Sequence, residues 1–305
     1  MNKKRIAATL GLLAFGFIER LRIAEANSES LLNDNLDFPV RLAHYYPWYP
    51  EHWADGTNYL PSLDFYDSSD QNVIDAHLLW GTYAHLDGFI SSWWGAGKPE
   101  DQRLALLLNR TQETGAPLKW AIMYEWEGYS DPSWWTILQD LLYLEKHFSH
   151  PAYLRVNGEP VIFVYHGGQG NSGNMTRRWW WATRFYGKPL HYVLQSYTDF
   201  PSNRYQPDSW HSYNPTQPID GAMPWFVSIS PGFWKYGSEP SLERDPTIFE
   251  QNATLMVQSE AWWQIVTTFN EWGEGTQIEA TQDFSPNMLY LNILCRILPG
   301  EDWCE

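Results

Sequence analysis

One pattern governs the chain from about Arg41 onward: a short apolar run, then a cluster of aromatic and polar residues, then a stretch with helical spacing. Eight of the apolar runs have strand length and β-rich composition. They are Arg41–Tyr46, Gly88–Trp93, Leu118–Tyr124, Val161–Tyr165, His191–Ser196, Ser209–Tyr213, Trp225–Ser230 and Gln264–Phe269. Helical periodicity follows over Asp70–Leu86, Pro99–Thr114, Pro132–Phe148, Pro246–Trp262 and Pro286–Ile297. The Pro132 helix is expected to start on Asp131-Pro132, a cap followed by a first-turn proline. After the fourth, fifth and sixth strands the helices are short or indistinct. Strands alternating with helices pair in parallel, so eight units predict an α/β fold, a single (β/α)8 TIM-type barrel. A doubly wound open sheet is the competing arrangement.

A barrel carries its function at the C-terminal ends of its strands. Those ends hold Tyr45-Tyr46-Pro47-Trp48-Tyr49, Ser92-Trp93-Trp94-Gly95, Tyr124-Glu125-Trp126-Glu127, Tyr165-His166, Tyr213 and Asn270-Glu271-Trp272-Gly273-Glu274. No linker or change of composition interrupts residues 41–305, which are expected to form one catalytic domain. Residues 27–40 form a polar lead-in. Residues 1–26 are expected to act as a signal peptide or N-terminal anchor: Lys3, Lys4 and Arg5 precede an apolar run from Ile6 to Ile18, and Ala24-Glu25-Ala26 offers a cleavage site. That run is too short to span a bilayer. The expected location is therefore secreted, periplasmic or exposed at the cell envelope. Cys295 and Cys304 either pair there and pin the tail or remain free thiols. Asn109, Asn174 and Asn252 each begin an Asn-x-Thr sequon.

The net charge is −16, with 36 acidic and 20 basic residues. Such a balance disfavours nucleic acid and anionic membranes as partners, since both require basic surface. The 19 Trp and 18 Tyr exceed what packing usually demands, and exposed rings can stack on the C–H faces of sugars. An oligosaccharide or polysaccharide is the partner that fits, acting on a monomer. No metal-ligand spacing, cofactor motif or Ser-His-Asp arrangement stands out. Gly167-Gly168-Gln169-Gly170 lacks the lysine of a phosphate-binding loop and is expected to be a flexible loop.

Glycosidic bond cleavage generally uses two carboxyl groups. Glu271 and Glu274 lie three apart just past the last expected strand, and a helical turn there would place them on one side. Gly273 and Gly275 permit a tight backbone path. The bland reading of the pair is a solvated acidic loop.

Phe269-Asn270-Glu271-Trp272-Gly273-Glu274-Gly275-Thr276-Gln277-Ile278-Glu279 resembles the signature of glycoside hydrolase family 99, the endo-α-mannosidase and endo-α-mannanase family. His44-Tyr45-Tyr46-Pro47-Trp48-Tyr49 and Asp87-Gly88-Phe89-Ile90-Ser91-Ser92-Trp93-Trp94-Gly95 resemble it too, in the same order. The resemblance implies a (β/α)8 fold, no metal or cofactor, and a retaining endo-acting mechanism. In it Glu271 acts as base on the sugar 2-hydroxyl, a 1,2-anhydro sugar forms, and Glu274 serves as acid and then base. It also implies that Glu125 binds substrate. Around Glu125 this chain departs from the family, which more often shows Glu-Pro-Tyr with a His two positions earlier; here Met123 takes the His position, so sugar contacts there should differ. Tyr46 and Trp94 are further candidates for substrate binding, and Tyr165, Tyr213, His44, Asn270 and Trp272 complete the set. A non-catalytic glycan-binding protein, or one that processes surface polysaccharide on the same fold, is the alternative.

Overall fold

The computed structural model describes residues 35–166, 172–301 and 303–304. The expected leader, most of the lead-in and the 167–170 glycine loop lie outside the described residues. All eight expected strands form, and they are mutually parallel. In chain order the strands are β1 (Val40–Tyr45), β2 (Gly88–Trp93), β3 (Lys119–Tyr124), β4 (Arg155–Val156), β5 (Glu159–Val164), β6 (His191–Gln195), β7 (Ser209–His211), β8 (Ile219–Ala222), β9 (Phe226–Ile229) and β10 (Trp263–Val266). Two of these are additions: β4 pairs antiparallel with β5, and β8 antiparallel with β9. The order across the sheet is β7-β6-β5-β3-β2-β1-β10-β9-β8.

The sheet is strongly curled. Strands β5 and β10 stand four places apart in that order, yet the Phe163 and Trp263 rings meet with centroids 5.0 Å apart. Trp263 also donates from Nε1 to Ser209 Oγ of β7 at 2.8 Å. The free edges approach each other, and Ser228 Oγ on β9 donates to the Ser212 carbonyl just past β7 at 3.0 Å. Between these edges no backbone ladder forms among the described residues; the β8–β9 hairpin lies at the seam, where only a short or indistinct helix was expected.

Among the described residues six helices of nine residues or more pack around the sheet: α1 (Gln71–Tyr83), α2 (Pro99–Thr114), α3 (Trp134–Phe148), α4 (Ser172–Tyr186), α5 (Pro246–Gln258) and α6 (Leu289–Ile297). Helix α2 has the expected bounds and buries Leu104, Leu107 and Leu108. Burying a leucine contributes about 1.5–3 kcal/mol, so this face alone holds the helix to the sheet. Helices α1, α5 and α6 are shorter than the expected Asp70–Leu86, Pro246–Trp262 and Pro286–Ile297, and two further expectations need correction. Helix α3 begins two residues later than expected, because Ser133 rather than Asp131 is the cap, its side chain accepting from the Thr136 N–H at 3.1 Å. Helix α4 is a full 15 residues where an indistinct one was expected. Its buried residues Met175, Trp179, Ala182 and Tyr186 keep helical spacing, but Arg177, Arg178, Trp180 and Trp181 blur the contrast between its faces. Cys295 and Cys304 form a disulfide that ties the C-terminal tail to α6, which resolves the alternative left by the sequence.

Candidate active site

The segment after β10 makes a tight turn rather than a helix, and Glu271 itself shapes it. Its backbone N–H donates to Thr268 Oγ1 at 2.9 Å, and its Oε1 accepts from the Glu274 N–H at 3.2 Å. The carboxylate caps the turn as an N-cap side chain caps a helix. Gly275 has φ +62, and a Cβ there would lie 2.8 Å from the Trp234 carbonyl oxygen. Both facts call for glycine. The Trp234 and Tyr236 N–H groups donate to the carbonyls of Glu274 and Gly273 at 2.8 and 2.9 Å, pinning the turn from the segment after β9.

This turn brings the two carboxyls together at the strand ends. Glu271 is buried, and its Oε2 has no hydrogen-bond partner. Burial first, and the neighbouring Glu274 charge second, push its carboxyl well above the usual range. Glu274 is raised as well, by burial; a hydrogen bond from Tyr213 and the nearby Lys235 charge oppose the shift. The Tyr213 hydroxyl donates to Glu274 Oε2 at 2.7 Å. Two interacting carboxyls titrate as one unit rather than as separate groups.

Around the pair the strand ends converge as a barrel would place them. Tyr46 is buried after β1 and shares a hydroxyl hydrogen bond with Tyr213. Glu125 after β3 is buried, accepts from Ser92 Oγ at 2.8 Å, and is pushed up to about 8, chiefly by burial, with the Glu274 charge adding to it. Trp94 is half-buried and donates from Nε1 to the same Ser92 Oγ at 3.0 Å. Its ring lies 4.8 Å from that of Tyr129, which lies 6.3 Å from Tyr165. Tyr165 in turn meets Tyr213 edge-on at 5.8 Å. Together these rings line an aromatic mouth over three carboxyls, Glu125, Glu271 and Glu274. His44 lies below it, buried and edge-on to Tyr213 at 5.1 Å, and burial keeps its imidazole neutral. His44 therefore props Tyr213 from within the sheet.

Asn270 and Trp272 do not line the mouth, which corrects their reading as sugar contacts. Asn270 is fully buried: its Oδ1 accepts from the Tyr46 N–H at 2.7 Å and its Nδ2 donates to the Tyr46 carbonyl at 3.0 Å. Trp272 is equally buried, against Tyr49, Tyr66 and Val73. Its Nε1 donates to Glu279 Oε2 at 3.0 Å, an oxygen that also accepts from the Tyr66 hydroxyl at 2.8 Å. Glu279 Oε1 pairs with His77 Nε2 at 3.2 Å, and His77 Nδ1 meets the Tyr45 hydroxyl at 2.9 Å. Sequence reading gave no role to Glu279, His77 or Ser92. Glu279 and Ser92 stood within the quoted motifs, whereas nothing local marks His77, one buried histidine in a helix.

The α/β fold is thus a curled parallel sheet that holds a carboxyl pair among aromatic rings at its strand ends. Comparison with known proteins narrows this. Residues 50–180 match the model of glycosyl hydrolase family 99. A glycoprotein endo-alpha-1,2-mannosidase of Xenopus laevis is 26% identical over 273 residues, 74% of this chain and 59% of that protein. The Rattus norvegicus protein of the same name is 24% identical over 297 residues, 83% and 63%. The chain thus spans about six tenths of the length of these relatives. The GH99 endo-alpha-mannosidase structure from Bacteroides thetaiotaomicron superposes with a TM-score of 0.70 at 20% identity, covering 87% of this chain and 97% of that one. The chain is thus similar to glycoside hydrolase family 99 over residues 50–180 and, at lower identity, over most of its length. The matched family segment ends before Glu271, so the role of the carboxyl pair rests on its motif and geometry.

Proposed function

We propose that the chain is a retaining, endo-acting glycoside hydrolase that cleaves an α-linked glycan, an α-mannoside, through a 1,2-anhydro sugar. The observation that carries this reading is the Glu271–Glu274 turn: one buried carboxyl with an unpartnered oxygen and one held by a tyrosine, at the strand ends. Glu271 Oε2 takes the proton of the sugar 2-hydroxyl as that oxygen bonds to C1. The bond from C1 to the leaving oxygen breaks, and Glu274 protonates that oxygen. Water then gives a proton to Glu274 and its oxygen to C1, while the C1–O2 bond opens and O2 recovers its proton from Glu271. Two inversions at C1 give net retention. An α-mannoside suits the first step, because its axial 2-hydroxyl stands anti to the axial leaving group. The reactive charge state is Glu271 ionised and Glu274 protonated.

Glu125, Tyr46, Tyr165, Tyr213 and Trp94 would bind the sugar on either side of the cleaved bond. Protonated at neutral pH, Glu125 can donate to a sugar oxygen as well as accept. We further infer that the sheet is a (β/α)8 barrel whose seam is sealed by the β8–β9 hairpin. The disulfide fits an exported monomer, since disulfides persist in oxidising compartments. The test is incubation with a panel of α-mannans, following the first-formed anomer by NMR, with Glu274→Gln as control. Release of α-configured product by the parent protein alone is expected. A β-configured first product, or no release from any member of the panel, would sink the proposal.

A further inference from the structure

Ser92 stands where two of the binding candidates meet. It is 2% exposed and pairs with Met123 in the register of β2 and β3. Trp94 Nε1 donates to its Oγ at 3.0 Å, and the Ser92 hydroxyl donates to Glu125 Oε1 at 2.8 Å. The directions of these two bonds are not interchangeable. An indole N–H can only donate, so Ser92 must accept from Trp94. Its one hydroxyl proton then has Glu125 Oε1 as its acceptor, and among the described residues it meets no other. Were Oε1 to carry a proton and donate back, the serine proton would be buried without a partner, which is the costly arrangement. Oε1 is therefore the accepting oxygen whether Glu125 is charged or neutral.

We propose that Ser92 is a positioning residue that makes Glu125 a one-sided donor: with Oε1 committed to Ser92, the carboxyl proton sits on Oε2 and is presented to an acceptor oxygen of the sugar. The inference rests on the reading of the mouth as a glycan site and adds to it the polarity of one contact. Among the described residues nothing bonds Oε2, which leaves it for the ligand. The surroundings favour the neutral form. Burial is the largest cause; the Ser92 bond opposes it, while Glu274 after β10 and Glu100 of α2 add like charge. The other titratable neighbours are the hydroxyls of Tyr46, Tyr129 and Tyr165, after β1, β3 and β5, each of which senses the Glu125 charge. The consequence concerns specificity. A carboxylate demands a proton from the sugar, whereas this arrangement takes an oxygen with or without one. A ring oxygen, a glycosidic oxygen or an O-methylated hydroxyl therefore fits at this contact.

The test reads Glu125 directly and does not need hydrolysis. In protein carrying isotope-labelled glutamate, the Glu125 carboxyl resonance is assigned by its loss in Glu125→Gln and followed by NMR against pH. In the parent it should titrate at about 8. Ser92→Ala removes a bond that favours the charged form, so the midpoint should rise by about one unit. Trp94→Phe frees the serine lone pair to accept from a neutral Glu125, and the midpoint should rise there too; this variant decides the matter if Ser92→Ala does not fold. A midpoint that stays or falls in a folded variant overturns the proposal. A second arm reads the polarity. In Glu125→Gln the amide oxygen takes the Ser92 proton and the amide N–H faces the sugar. On an α-mannan oligosaccharide Glu125→Gln should keep about tenfold more kcat/KM than Glu125→Leu, as one hydrogen bond contributes, and should lose that advantage in the Ser92→Ala background. An equal advantage with and without Ser92 overturns the positioning role. If the parent does not turn over the oligosaccharide, the hydrolase reading falls, and the carboxyl titration alone upholds or overturns the role of Ser92.

Discussion

The hydrogen bond from Tyr213 to Glu274 sets how tightly the proposed acid holds its proton. Tyr213→Phe removes one hydroxyl and leaves the ring edge-on to His44 and Tyr165. The 2.7 Å bond stabilises the ionised form of Glu274 and lowers its proton affinity. Hydrogen bonds to charged groups contribute about 1.5–3 kcal/mol. Glu274 is partly open to the mouth, so the lower end applies, and about 1.4 kcal/mol is one pKa unit. The variant should therefore hold the Glu274 proton to a pH about one unit higher. An acid must be protonated to act, so the alkaline limb of kcat/KM should move up by roughly one unit. Loss of the bond also favours a protonated Glu274, the form the first step uses. The assay is the pH profile of hydrolysis of an α-mannan oligosaccharide, parent against variant. An alkaline limb that stays in place, or moves to lower pH, would refute the assignment of Glu274 as the acid.

Glu271→Gln and Glu274→Gln should each lower kcat by about 10²–10⁴, the usual contribution of a positioned acid or base, and an aryl leaving group should rescue only Glu274→Gln. A loss confined to KM in steady-state assays would count against both roles. Glu279→Ala leaves His77, Tyr66 and Trp272 without their shared acceptor and should cost about 3–5 kcal/mol in urea unfolding; a cost under 1 kcal/mol would show the network to be dispensable. Glu125 is pushed from 4.5 to about 8 in the fold, so the stability it contributes is complete below 4.5 and is lost as pH rises through 8. Glu125→Gln should flatten the fall in urea midpoint between pH 5 and pH 8, and an unaltered fall would exclude this origin. Cys295→Ser should lower stability by roughly 2–3 kcal/mol, as expected for a bridge across 9 positions, and reductant should lower the Tm of the parent but not of the variant.

The parallel strands were legible because each is a short stretch rich in apolar and β-favouring residues, and a strand buried on both faces needs no strict alternation. Helix α4 was hidden by its own surface: four large or charged residues at its outer positions carry the weight that usually marks a core face. The β8–β9 hairpin was unreadable for a different reason, since Ile219–Ala222 is only half-buried and contains Asp220 and Gly221. At the site, residue type and strand-end position marked Glu271, Glu274, Tyr46 and Glu125. Asn270 and Trp272 misled because position in a motif does not fix which way a side chain points. Both turn inward, Asn270 to the backbone of Tyr46 and Trp272 to Glu279.

The Asn270 clamp has a consequence in time. It ties the end of the first long strand to the acid turn across 224 positions of chain. While the chain is being synthesised, Tyr46 emerges long before Asn270 exists to hold it. The mouth thus lacks a wall until nearly the last helix has been made. A truncated or half-emerged product would carry the aromatic rings without the carboxyl turn that orders them. An unfinished chain therefore lacks the paired carboxyls and the order around them, and the fold itself sets when the site is complete.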